Sequence, residues 1–132
     1  MTELASTLTP PEIASQAARA IAVLNELTHG GGELSNPSDV RAIVSSLELI
    51  GQGLPQLYEQ LARFLVVQHE DGQLTHEHGR GTGDSVTEVI EALAAAGQAA
   101  DMMTAALTEA RTASQALTPA RHRGWEGRPA AD

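Results

Sequence analysis

Cysteine and lysine are both absent from this 132-residue chain, and Tyr58, Phe64 and Trp125 are its only aromatic residues. Without a thiol there is no disulfide framework, thiolate metal site or cysteine nucleophile. With so few rings, any core has to be built from aliphatic side chains and alanine. No uninterrupted apolar run approaches the roughly 20 residues that span a bilayer, and Met1 to Thr9 lacks the basic and apolar blocks of an export signal. These absences lead us to expect a cytoplasmic protein with no membrane segment. All eight basic residues are arginine, which, beside abundant alanine, glycine and threonine, fits the codon bias of a high-GC bacterium.

Positive charge is also scarce. Seventeen acidic groups against eight basic ones give a net charge of -9, so direct nucleic-acid binding and attraction to anionic lipid are disfavoured. The same surplus suits an acidic inhibitor that mimics nucleic acid before a basic enzyme.

What the chain has in quantity is apolar periodicity. Ile13, Ala17, Ala20, Leu24 and Leu27 step by three and four near the start. Val40, Ile43, Leu47, Ile50, Leu54, Leu57, Leu61 and Phe64 do so in the middle, and Val86, Val89, Leu93, Ala96, Ala100, Met103, Leu107, Ala110, Ser114 and Leu117 near the end. Such spacing lines apolar side chains along one seam of an α-helix, which another helix has to cover. The fold expected is all-α: a small antiparallel bundle of three or four helices over residues 10–117, with a long C-terminal helix. Residues 1–9 are expected to be flexible and residues 118–132 to form a disordered tail.

Local signals place the helix ends. Thr9, Pro10 and Glu12 make a capping box with proline at the first helical position, and Gly30 to Gly32 supply a stop. The second helix is expected after Ser35 or Asn36. Two glycines and Pro55 within residues 51–55 oppose a continuous helix, because proline removes an amide and crowds the preceding turn. Helix propensity favours a sharp turn near Gly53, while the heptad phase favours a single kinked helix. The last helix is expected after Asp84 or Ser85, with Ser85 and Glu88 as its capping box, running to about Leu117 before Thr118 and Pro119.

Helix length then bears on function. The first helix, at about 29 Å, covers only about half of a last helix of about 50 Å, at 1.5 Å per residue. Either path through residues 51–55 therefore leaves apolar flank exposed to water at about 25 cal/mol per Å². The function expected is that of a non-enzymatic adaptor, regulatory subunit or assembly component that forms a homodimer or binds another helical protein. Its contact residues are expected to be Leu57, Leu61, Phe64, Met103, Leu107 and Leu117. Trp125 joins them because tryptophan in an arginine-containing tail suits a binding anchor.

One polar cluster offers different chemistry. In an extended loop His76 and His78 point to the same side, and with His69 they form a candidate zinc-binding or metal-sensing trio. No catalytic signature accompanies it. A carboxylate-bridged di-iron bundle needs paired Glu-x-x-His motifs on two helices, and only Glu26 with His29 has that spacing.

Overall fold

The computed structural model describes residues 7–75, 77–78 and 81–120. They are all-helical, with three α-helices and no strand among them. The chain divides into two compact units, residues 1–35 and residues 36–132, each described by itself.

The first unit holds α1, Pro10–Thr28. The Thr9 side chain accepts from the Glu12 amide while the Glu12 carboxylate accepts from the Thr9 amide, the reciprocal cap expected from the sequence. A short 3-10 turn at His29–Gly31 follows, in which Gly30 and Gly31 take φ values of 63° and 85°. Residues with a Cβ rarely occupy that left-handed region, so glycine is needed at both positions.

The second unit is a long antiparallel hairpin. Its arms are α2, Pro37–Glu70, of 34 residues, and α3, Thr82–Ser114, of 33. Asn36 caps α2, its side chain accepting from the Ser38 amide at 2.8 Å, with Pro37 at the first helical position. Gly72, at φ 71°, ends the helix: its amide donates to the His69 carbonyl, and the next amide, of Gln73, reaches back to the Gln68 carbonyl. This pairing of bonds around a left-handed glycine is the Schellman stop.

The turn that propensity favours near Gly53 does not occur, and the single helix that heptad phase favours does: α2 runs unbroken through Gly51, Gly53 and Pro55. An interior proline costs a helix about 3 kcal/mol, and here packing against α3 opposes that cost at the same level. A Cβ built on Gly97 would lie 3.8 Å from Pro55 Cα and 4.0 Å from Tyr58 Cδ2, so the α3 backbone passes directly beside the proline. The last helix also begins earlier than expected, at Thr82 after Gly81, without a side-chain cap, and ends at Ser114. Ser85 and Glu88 are therefore inside the helix and do not cap it. The missing cap is compensated by length, since starting at Thr82 gives α3 an extra turn opposite the end of α2, where Gly83 faces His69.

The contact line between the arms follows an unbroken heptad on both. On α2 it runs through Arg41, Val44, Glu48, Gly51, Pro55, Tyr58, Ala62 and Leu65, all buried or half-buried. On α3 it runs through Val86, Ile90, Leu93, Gly97, Ala100, Thr104, Leu107, Arg111 and Ser114, again all buried or half-buried. Spacing of three and four keeps such a line straight along two long helices. The line is not the apolar stripe read from the sequence. On α2 it lies one residue later throughout, a rotation of about 100°. On α3 it shares Val86, Leu93, Ala100, Leu107 and Ser114 with the stripe, and the alternate positions again fall one residue later.

Close approach depends on the small residues of this line. A Cβ at position 51 would collide with the Thr104 hydroxyl and stand 3.0 Å from Met103 Cε, whereas nothing lies within 4 Å of one at Gly53. Both glycines cost α2 helix propensity, but only Gly51 is needed for packing. Gly53→Ala is expected to stabilise the fold by about 1 kcal/mol. Gly51→Ala is expected to lower stability, since the clash, at about 1–3 kcal/mol, outweighs the propensity gain. Denaturant unfolding of the two variants beside the parent checks the pair.

Candidate functional site

Heptad geometry assigns what lies on either side of the contact line. In an antiparallel pair the residues just before the line on one helix share a side with those just before it on the other. On α2 these are Val40, Ile43, Leu47, Ile50, Leu54, Leu57, Leu61 and Phe64. On α3 they include Val89, Ala92, Ala96, Ala99, Met103, Ala106, Ala110 and Ala113, and Leu117 continues the row just past the helix end. No residue of either row is charged. The hairpin therefore carries one continuous apolar face, formed of bulky aliphatics along α2 and mostly of alanine along α3.

The opposite side is more polar, although Leu49, 68% exposed, stands on it. Gln52, Gln56, Glu59 and Arg63 of α2 line a shallow groove with Ala94, Gln98 and Asp101 of α3. Polar and charged groups face water there at no cost, so the hairpin is amphipathic as a unit, chiefly through α2.

Exposure measures how far the apolar face is from being covered. Leu57 is 46% exposed, Leu61 48% and Phe64 61%, while Val86 and Ala100 are the only buried hydrophobic residues among those described. A helix in a compact bundle touches two neighbours, one through each flank of its apolar stripe. In this hairpin each helix has a neighbour on one flank, and Ile50, Leu57, Leu61 and Phe64 lie on the other.

The expected contact residues fall into three groups. Leu57, Leu61, Phe64, Met103 and Leu117 are exposed along the apolar face or at its end. Leu107 belongs to the contact line inside the hairpin and is half-buried. Trp125 lies outside the described residues. Of the candidate metal trio, His69 closes the end of α2, with Nε2 3.5 Å from a Cβ built on Gly83. His78 is exposed, and His76 lies outside the described residues. Among the described residues no three His, Asp or Glu side chains are grouped to hold a metal ion. No helix among them is long and apolar enough to cross a membrane.

What the periodicity did not signal is the polar lock inside the contact line. Glu48 is buried, and its carboxylate accepts from Arg111 Nε at 2.6 Å, from Arg111 Nη2 at 3.3 Å and from the Thr108 hydroxyl at 2.5 Å. Beyond it, Arg41 Nη1 donates to the carbonyls of Ser114 and Leu117 at 3.0 and 3.2 Å, placing a cation at the C-terminal end of α3. A slip of one heptad would set Arg111 beside Arg41 or beside Pro55, with repulsion in one case and no partner in the other. Register is thereby specified. The available sequence clue was an acid and a base standing in the same heptad phase on two long helices.

The Arg111 guanidinium and the Thr108 hydroxyl, through their hydrogen bonds, hold the Glu48 carboxyl below the usual glutamate range, and Arg111 is raised in return. A carboxyl depressed in the folded state adds stability above its unfolded pKa and loses it as pH falls through the folded value. Comparison with protein-family models, curated proteins and solved structures finds no match to this chain.

Two outcomes follow for the lock. Melting temperature is expected to fall on acidification from about pH 7 to about pH 3, and the fall is expected to be smaller in Glu48→Gln, whose side chain no longer titrates. At neutral pH, Arg111→Ala is expected to be less stable than Glu48→Gln. The first leaves a carboxylate unpaired in the contact line, whereas the second leaves a neutral amide that still accepts from Arg111. Thermal unfolding followed by circular dichroism measures both.

Proposed function

We propose that this chain is a non-catalytic helical interaction protein, an adaptor, regulatory subunit or assembly component, whose working surface is the uncharged face of the α2–α3 hairpin. The observation that supports the reading is the rotation of the contact line on α2 away from its large apolar stripe. The line joins Gly51, Gly97, Ala100 and the Glu48–Arg111 pair with aliphatics such as Val44, Leu65, Ile90 and Leu93, and it leaves Ile50, Leu57, Leu61 and Phe64 exposed. Burial of a large aliphatic side chain stabilises by roughly 1.5–3 kcal/mol, so a row of them left in water favours any helical surface that covers it. An uncharged strip that runs the length of the hairpin is larger than the scattered apolar residues of an ordinary monomer surface.

The reading assigns no role to bound metal. It places the protein in the cytoplasm of a bacterium, as expected from its composition.

The face is tested by light scattering together with the fluorescence of 8-anilinonaphthalene-1-sulfonate. The parent protein is expected either to have a mass above the monomer or, as a monomer, to enhance the dye. Leu57→Ala and Leu61→Ala are each expected to weaken association or dye binding roughly tenfold or more, about 1.4 kcal/mol, with helicity retained. Gln56→Ala, on the opposite side, is expected to change neither. A monomer that leaves the dye dark overturns the proposal.

A further inference from the structure

The two rows of the apolar face differ in size, and that difference carries information about what covers it. Along α2 the row is bulky, with Ile50, Leu57, Leu61 and Phe64. Along α3 the row is alanine except at Val89 and Met103, which stand level with Phe64 and Ile50. The pairing of Gly51 with Thr104 and of Gly97 with Pro55 sets the level of each arm against the other, so that Leu57 stands level with Ala96 and Ala99. Large and small residues on facing helices interdigitate, while large on large and small on small leave one side overfilled and the other hollow.

Resting on the reading of this face as the working surface, we propose that its occupant is the same face of a second copy. The two hairpins form a four-helix bundle whose two-fold axis runs parallel to the helices. In that arrangement α2 of each copy lies over α3 of the other, antiparallel to it, and the bulky row of one packs on the row of its partner that is alanine except at Met103 and Val89, opposite Ile50 and Phe64. Both α2–α3 connections then lie at the same end of the bundle. The alternative two-fold axis, across the helices, stacks α2 on α2 and α3 on α3, and puts the connections at opposite ends.

Length and area favour a second hairpin. The face is about 50 Å long at 1.5 Å per residue and two helices wide, an area on the order of 1,000 Å² per copy, above the roughly 800 Å² per partner of a stable interface. A helix of 19 residues such as α1 spans about 29 Å and so leaves much of the face open, whereas another hairpin matches it end to end. The absence of charge from both rows removes repulsion when the face meets its own copy.

The absence of cysteine makes the arrangement directly measurable in the full chain. Glu70→Cys places one spin label per copy at the exposed end of α2, beside the connection. We expect a dimer by light scattering and a label separation of roughly 20–30 Å, the width of a four-helix bundle. A dimer with labels about 50 Å apart, one helix length, overturns the axis, and an assembly larger than a dimer overturns the two-hairpin bundle. A monomer that enhances 8-anilinonaphthalene-1-sulfonate overturns the second copy as occupant while leaving the working face intact. A monomer that does not enhance it, its face covered by its own chain, overturns both.

Discussion

Glu48 and Arg111 meet inside the contact line of two helices of nearly equal length, and the hairpin's other features follow from where that line runs. An ion pair in such a position is only stable when both partners are satisfied, and Thr108 completes the carboxylate. Around it the line is furnished with Gly51, Gly97, Ala100 and Thr104, residues small enough to let two backbones approach closely. The approach is what carries α2 through Pro55, because the proline faces an α3 backbone that has no side chain at Gly97. The polar residues between the arms provide specificity of register, and Val44, Tyr58, Leu65, Ile90, Leu93 and Leu107 supply the apolar contact beside them.

That division has an energetic consequence. A hairpin stabilised only by its own contact line would leave its largest aliphatic residues in water, and among the described residues only Val86 and Ala100 are buried hydrophobics. Under the proposed pairing, stability and association are linked, as in obligate oligomers whose folded state depends on protomer concentration. The two sides of the hairpin differ: Gln52, Gln56, Arg63 and Gln98 line a polar groove, and the aliphatic and alanine rows form the uncharged face proposed as the working surface.

Several elements were legible from residues alone because their causes are local. Thr9, Pro10 and Glu12 cap α1, Asn36 and Pro37 open α2, and Gly30 and Gly31 take the left-handed conformation that glycine tolerates. Residues 51–55 were not legible in this way. Propensity weighs Gly51, Gly53 and Pro55 as three breakers, whereas the fold uses Gly51 as a contact surface against Thr104 and sets Pro55 against Gly97. Ser85 and Glu88 had the spacing of a cap, yet α3 gained more by starting at Thr82 and extending its pairing with α2.

Heptad spacing alone was enough to establish that the chain is helical and that it carries more apolar flank than one neighbour can hide, because periodicity of three and four is a property of the backbone and needs no partner. The side of each helix turned toward the other was settled only in three dimensions. Choosing between the leucine row and the line one residue later depends on how closely two backbones can approach at Gly51, and on an acid and a base 63 positions apart finding each other at Glu48 and Arg111. Those are contacts between distant segments, and no window of sequence contains both halves of them.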